Sequence, residues 1–485
     1  MCSSHKRVLQ ALSRALSIVI FQMLFAQPAG TAKPLDQVTS IVLPNGIYEC
    51  NRTLVIPRQR LGVLAPAPYL GTQPSTPGGI LRGQDQFGTV LRFGPGVTGQ
   101  LIKTELYGER QPGNSANSKS LGSGAVKSNL SASACDLTID GGAEIRAYPW
   151  SYPKWAPKPD PHGPDFPVRA DGLCTDSDGF VGEHLRFFQI PGTALVVKSY
   201  PAGAISPFGS AFPILNYIYV TGAVNGVNVQ ATDAKLSHVY ITGIIKDGLI
   251  VSGPGTYIEN DHVWGADRAA VFTAPVFARD CYHEAARIGT DIMGGADGTR
   301  IDGLHIGPGT CWERGLRIGA HGCTIANLNG TVLVESQEHP DSAGVEIMPN
   351  LLHEVVTGSL VIGADAKTPD ATAKGLILRG NRQKIDLKGG WNSPCKATFV
   401  RVEGTVTGST VEIRGTGDGG TVLDLSASNL NKVDGAGNEF KIKWGGSANR
   451  VIYPGGGNVY NLAPGTQLWI DGQLQSAATL PPTGT

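Results

Sequence analysis

Five short phrases between Glu183 and Gly307 repeat one arrangement of residues with chemical potential. They are Glu183-His-Leu-Arg-Phe, Asn216-Tyr-Ile-Tyr-Val-Thr-Gly, Ser237-His-Val-Tyr-Ile-Thr-Gly, Asp261-His-Val-Trp-Gly and Asp302-Gly-Leu-His-Ile-Gly. Side chains alternate between the two faces of a strand. If Leu185, Ile218, Val239, Val263 and Leu304 point inward, two columns point outward. One reads Arg186, Tyr219, Tyr240, Trp264, His305. The other reads His184, Tyr217, His238, His262, Gly303.

Such columns suit a polysaccharide. Aromatic faces pack on the apolar faces of sugar rings, and His, Tyr and Arg bind hydroxyls or uronate carboxylates. Elimination from a uronic acid needs a base at C5 and a partner for the carboxylate. His238, His262, Tyr240, Arg186 and Arg268 have suitable side chains for those tasks. Hydrolysis needs two carboxyl groups across the scissile bond. Glu183, Asp261, Asp267 and Asp280 are the nearest candidates. The expected catalytic set is therefore His238, Asp261, His262, Arg186 and Tyr240. The expected substrate-binding set is His184, Tyr217, Tyr219, Trp264, Arg268, His305, Asp280 and His283. Outward Tyr, Trp and His are also tolerated on any exposed sheet, so a bare sheet surface is the competing reading.

The elements that would carry these residues are short strands. From Val227/Val229 to Phe440/Ile442, pairs of apolar residues recur in apolar-x-apolar form, many separated by about 9 to 12 residues. Two such units make a turn of about 22 residues, a period that suits a solenoid. Helical periodicity is nearly absent outside the N-terminus and Ala285–Met293. A β-sandwich would show longer strands and hairpin turns. The expected fold is all-β, a right-handed parallel β-helix with long loops on one face. Gly108–Ser131 and the seven-proline stretch Tyr148–Arg169 read as such loops. Thr273–Thr299 reads as a third interruption.

Further residues carry a family resemblance. Ile41-Val-Leu-Pro-Asn-Gly-Ile-Tyr, Thr53-Leu-Val-Ile-Pro, Gly78-Gly-Ile-Leu-Arg-Gly and Thr89-Val-Leu-Arg-Phe follow one another in order, and Cys135-Asp-Leu-Thr-Ile-Asp-Gly-Gly follows them. This order resembles the start of pectate-lyase-like right-handed parallel β-helix proteins. The resemblance implies the fold and a carbohydrate-directed role. It does not extend to the catalytic signatures of polygalacturonases or of pectate lyases proper. Ala170-Asp-Gly, Ala320-His-Gly and Trp469-Ile-Asp-Gly match those signatures only in part.

Residues 1–32 read as a secretory signal. Lys6, Arg7 and Arg14 precede the apolar run Ala15–Ala26, and small residues follow at Gly30-Thr-Ala. The expected location is extracellular or periplasmic. Residues 33–456 read as the β-helix, with N-terminal coils over 33–130, central coils with a groove over 131–335 and C-terminal coils over 336–456; 457–485 reads as a tail. The chain of 485 residues carries 40 basic and 40 acidic side chains. This balance gives no basic excess for nucleic acid or an anionic membrane. No membrane span is expected after signal cleavage. The seven remaining cysteines show no CxxC pair. They allow one or two disulfides or buried free thiols. No cofactor is expected, with Ca²⁺ at Asp176-Ser-Asp178 as the exception considered; Asp171, Asp176 and Asp178 read equally well as turn residues. The sequence thus favours a polysaccharide lyase or glycoside hydrolase. A non-catalytic glycan-binding β-helix, an adhesin or tailspike, and a C5-epimerase are the alternatives, and oligomeric state is open.

Overall fold

The computed structural model describes residues 40–56, 80–104, 132–143, 169–177, 179–198, 212–306, 311–334, 342–364, 373–391, 397–428, 438–445, 450–452, 467–470 and 473–475. The signal segment, the Gly/Ser-rich stretch and all of the proline-rich one but Arg169 lie outside these residues, so the placement of long loops on one face does as well.

The described chain is a parallel β-helix, the fold expected from the apolar spacing. Successive strands stack parallel and in register from Ser40–Leu43 onward. One edge column runs Ser40, Ile80, Ser133, Val181, Ile214, Lys235, Tyr257, Phe277, Arg300 and Thr324. The stack continues through Glu439 to Gln467 in the segment read as a tail, where Gln467–Ile470 then pairs antiparallel with Gln473–Gln475. Right-handed connection is nearly universal for parallel crossovers of this kind.

Every coil buries its inward residues against those of the next. Leu137, Leu185, Ile218 and Val239 form one interior column, and Ile139, Phe187, Val220, Ile241 and Val263 form another. Each of these side chains is almost fully buried. Burying one such side chain contributes roughly 1.5–3 kcal/mol, so the continuous column is the main support of a stack whose coils touch only their neighbours.

The coils turn sharply because single residues adopt left-handed backbone. Asp136, His184, Tyr217, His238, Asn260, Asp280, Gly303 and Asn327 occupy one corner with φ between 48° and 80°. Gln189, Gly222, Gly243, Gly265 and Ala285 occupy the next, with φ between 50° and 74°. The Thr-Gly bends foreseen in the repeated phrase sit at this second corner. Between the corners lies a short wall with two outward positions per coil.

Two expectations are corrected here. Thr273–Thr299 is not a loop that interrupts the coils. Val276–Ile292 is a continuous strand of 17 residues, paired on both sides with one register irregularity between Ala286 and Ile288. Ala285–Met293 accordingly has no helix: β pairing overrides its local pattern. Cys50, Cys135, Cys174, Cys281 and Cys323 are free thiols, all buried except Cys135, which is half-buried. Among the described residues, no helix is long and apolar enough to cross a membrane.

Candidate functional site

The wall between the two corners positions the site. Its first outward column runs Arg186, Tyr219, Tyr240, His262, Tyr282 and His305. Its second runs Phe188, Thr221, Thr242, Trp264 and Glu284. Neighbouring strands lie about 4.8 Å apart, so six consecutive coils place six polar or aromatic groups in one line.

The register differs from the expected one by two residues at Asp261. His262 pairs with Tyr240, and Trp264 pairs with Thr242. Asn260, rather than His262, takes the left-handed corner after His238. Asn tolerates that backbone because its short side chain can bond locally. His262 therefore joins Tyr240 on the wall, and Trp264 moves to the second column.

The same shift turns two expected site residues inward. Asp261 occupies the interior position held by Val239 in the coil before, and His283 occupies that of Val263. Both side chains are 0% exposed. They are corrected from outward groups to interior ones, and neither can meet a glycan on the wall.

At the centre of the wall, His262 Nε2–H donates to Glu284 Oε1 at 3.1 Å. This contact leaves Nδ1 with the lone pair in the neutral tautomer. The Tyr240 ring meets the His262 ring edge-on at 5.1 Å, and the Tyr282 ring does so at 4.6 Å. Tyr282 stacks on His305 at 4.2 Å with 8° between planes. Burial and the Glu284 charge raise the phenol pKa values of Tyr240 and Tyr282, so both phenols stay protonated donors. Burial lowers the His305 pKa; the His262 charge adds to this and the Glu284 charge opposes it. Tyr282 and Glu284 do not stand out in the sequence, because Thr273–Thr299 reads there as an interruption of the coils. Coil steps of 21, 22, 20 and 23 residues from Tyr219 to His305 are the signal that would have found them.

Arg186 lies at the far end of the column. Its guanidinium sits 5.5 Å from the Phe87 ring centroid and 5.2 Å from that of Phe188. It has no carboxylate partner among the described residues, so it is an available anion receptor. Tyr219 stands next to it, 6.1 Å from Tyr240 between ring centroids.

Other expected residues lie off the wall. His184, Tyr217 and His238 occupy the first corner and stack at 4.9 and 4.6 Å. His184 also bonds Asp136 at 3.1 Å. Asp280 is an exposed residue of the same corner. Arg268 is held by Asp247 and Asp291, in a network that includes Arg317. Asp267 is held by Arg287. Asp171 lies in strand Ala170–Thr175 and accepts a hydrogen bond from the Thr193 backbone of the next coil at 2.7 Å, a coil-to-coil contact and not the turn expected for it. Asp176 is buried, and Asp178 lies outside the described residues.

No family model and no curated protein matches this chain. Among solved structures, the chain is similar to the A-module of the Azotobacter vinelandii mannuronan C-5 epimerase AlgE6. The identity is 14%, the TM-score 0.32, and 89% of each chain is covered. It is similar to the A-module of the epimerase AlgE4 from the same organism at 11% identity and a TM-score of 0.29, covering 88% of this chain and 90% of the other.

Proposed function

We propose that this chain acts on a uronate-containing polysaccharide by removing the proton at C5. The observation that carries this reading is the outward cluster of His262, Glu284, Tyr240, Tyr282 and His305. Glu284 holds the His262 ring by Nε2–H, which leaves Nδ1 as the nitrogen to act as the base. The adjacent phenols supply protons, to the leaving oxygen or to the opposite face of C5. Arg186, three coils away, receives the carboxylate of another sugar in the same chain.

The cluster argues against two-carboxylate hydrolysis. Among the described residues of the wall's central coils, Glu284 is the one carboxylate, and Asp261 is buried in the interior. A hydrolase needs a second carboxyl group about 5 to 9.5 Å from the first. Elimination and C5 epimerisation both begin with the proton transfer proposed here, and they differ in whether the glycosidic oxygen then leaves. Export of the chain by its N-terminal segment belongs to this proposal, since polysaccharides of this kind lie outside the cytoplasm.

The test is incubation with a panel of polyuronates in deuterated water. Ultraviolet absorbance of unsaturated uronates reports elimination. Deuterium at C5 with the chain intact reports epimerisation. New reducing ends without absorbance, or binding with neither chemical change, overturns the proposal.

A further inference from the structure

Three consecutive interior positions break the apolar rule of the core. Asp261 stands where the preceding coils have Ile218 and Val239. Cys281 stands in the same column one coil later and is followed there by Leu304. His283 stands between Val263 and Ile306 in the neighbouring column. The residue before His262 and the residue before Tyr282 are thereby stacked, and the 2.9 Å bond from the Tyr282 backbone N–H to the Asp261 carbonyl fixes them.

The donor atoms of Asp261, Cys281 and His283 all lie within 4.8 Å of one another, and all three residues are buried. His283 Nε2 is 2.9 Å from Asp261 Oδ2, and His283 Nδ1 is 2.7 Å from Thr290 Oγ1 across the lumen. Asp261 Oδ1 is buried without a hydrogen-bond partner. The Cys281 thiol lies beside the carboxylate but is too weak a donor to satisfy it. A buried carboxylate oxygen left in this condition is costly.

We infer that Asp261, Cys281 and His283 form a binding site for a divalent transition-metal ion, zinc by ligand chemistry, inside the β-helix. Thiolate, imidazole and carboxylate are the zinc donor types, and three protein ligands are enough to hold the ion. Tetrahedral zinc would place its ligand atoms roughly 3.3–3.8 Å apart, so His283 Nε2 and Asp261 Oδ2, now 2.9 Å apart, would separate slightly to admit the ion. Thr290 completes the arrangement. With an ion bound, its hydroxyl would accept the Nδ1 proton of His283, and the Nε2 lone pair would go to the metal in place of the present bond to Asp261, as outer hydrogen bonds do for metal-bound imidazoles. Binding releases the Cys281 thiol proton to solvent. The dication, one thiolate and one carboxylate then sum to zero charge in an apolar lumen.

Such an ion is taken up as the coils stack, because Asp261 belongs to one coil and Cys281 and His283 to the next. It ties together the two coils whose outward neighbours are His262, Tyr282 and Glu284. This inference is independent of the proposed acid–base chemistry and survives its failure.

The test is the metal content of the full-length protein purified without chelator, measured by plasma mass spectrometry. About one zinc per chain is expected. Refolding with Co²⁺ in place of zinc is expected to produce a thiolate-to-metal charge-transfer band in the near ultraviolet. Cys281→Ser should abolish that band, and Cys323→Ser, at another buried thiol, should leave it. Asp261→Asn should weaken retention of the metal under dialysis against chelator. Wild-type protein that carries no metal and takes none up on refolding overturns the inference without recourse to any variant. So does a cobalt band that persists in Cys281→Ser.

Discussion

His262 and Glu284 face each other across adjacent coils of the wall, with Nε2 and Oε1 3.1 Å apart. The bond joins strands His262–Phe272 and Val276–Ile292, so its geometry depends on register rather than on any loop. Stacked strands hold a base more firmly than a loop does, and small misplacements of a base are expensive in rate.

Glu284→Gln should therefore lower kcat with little change in KM. The amide keeps the shape but no longer orients the imidazole as an anion does. A loss of about 10²–10⁴-fold is expected, the usual scale for general acid–base groups. His262→Ala should cost a similar factor, and the double variant should be scarcely worse than either single one, since the two act as a unit. Steady-state kinetics on whichever polyuronate of the panel is turned over checks this; additive losses would contradict a coupled pair.

The ends of the column should behave differently from its centre. Tyr219→Ala and Arg186→Ala remove contacts to sugars that do not react. Each should raise KM for long chains while leaving the turnover of short oligosaccharides nearly unchanged. For Tyr219 the expected change is roughly 2–10-fold, the range of a single aromatic contact. Kinetics against oligomers of increasing length separates the two behaviours.

The fold was legible because its signal is periodic. Valine, leucine and isoleucine pairs recur through the chain, and each pair became a buried rung. The wall was legible in kind and misread in register. Asp261-His-Val-Trp-Gly looks like Ser237-His-Val-Tyr-Ile, and the match of His262 to His238 is tempting. The structure aligns Asn260 with His238 instead, because backbone bending, not side-chain similarity, decides which residue takes the corner. Asp261 then falls in the core, a position that apolar patterning would never assign to it. Tyr282 and Glu284 were hidden for the related reason that Arg, Asp, His and Glu crowd their strand. Charged residues at outward positions suggested a loop where pairing on both sides sustains a strand.

The first corner carries its own conformational cost. Left-handed backbone at a non-glycine residue costs roughly 1–2 kcal/mol. Stacking of His184, Tyr217 and His238 returns a part of it, about 0.5–1.5 kcal/mol per ring pair. His238→Gly should therefore leave thermal stability nearly unchanged, since it relieves the backbone as it removes the ring. His238→Val should destabilise measurably, because a β-branched residue is poorly suited to that backbone. Thermal melts of the two variants distinguish them; equal losses would show that the ring, not the backbone, governs the corner.

His305 should titrate below the ordinary histidine range. Burial is the main cause, and the Glu284 charge partly offsets it. The folded state then prefers the neutral ring. The resulting stability is complete above the unfolded-state pKa of about 6.5 and is lost as pH falls through that value toward the folded one. Glu284→Gln removes the raising influence, so the His305 midpoint should move lower still. Two-dimensional NMR of the imidazole resonances reads both midpoints. A midpoint that rises in Glu284→Gln would contradict the arrangement.

Glu346 makes the strongest claim on acid stability. It is only 5% exposed and is held by Arg314 and Arg379 from the coils on either side. Burial works to raise its pKa, but the two guanidinium groups together overcome that and hold it below the usual carboxylate value. Its contribution is therefore present above the ordinary glutamate pKa and is lost as pH falls through the lowered folded value. Glu346→Gln leaves two guanidinium groups without their shared carboxylate, although Arg379 keeps Glu403, and should destabilise by about 1.5–3 kcal/mol at neutral pH, the scale of a lost charged hydrogen bond. Below the lowered pKa the difference between wild type and variant should shrink, because both then present an uncharged group to Arg314 and Arg379. Urea denaturation at neutral and at acid pH measures both quantities. A pH-independent difference would mean that shape, not charge, is what Glu346 supplies.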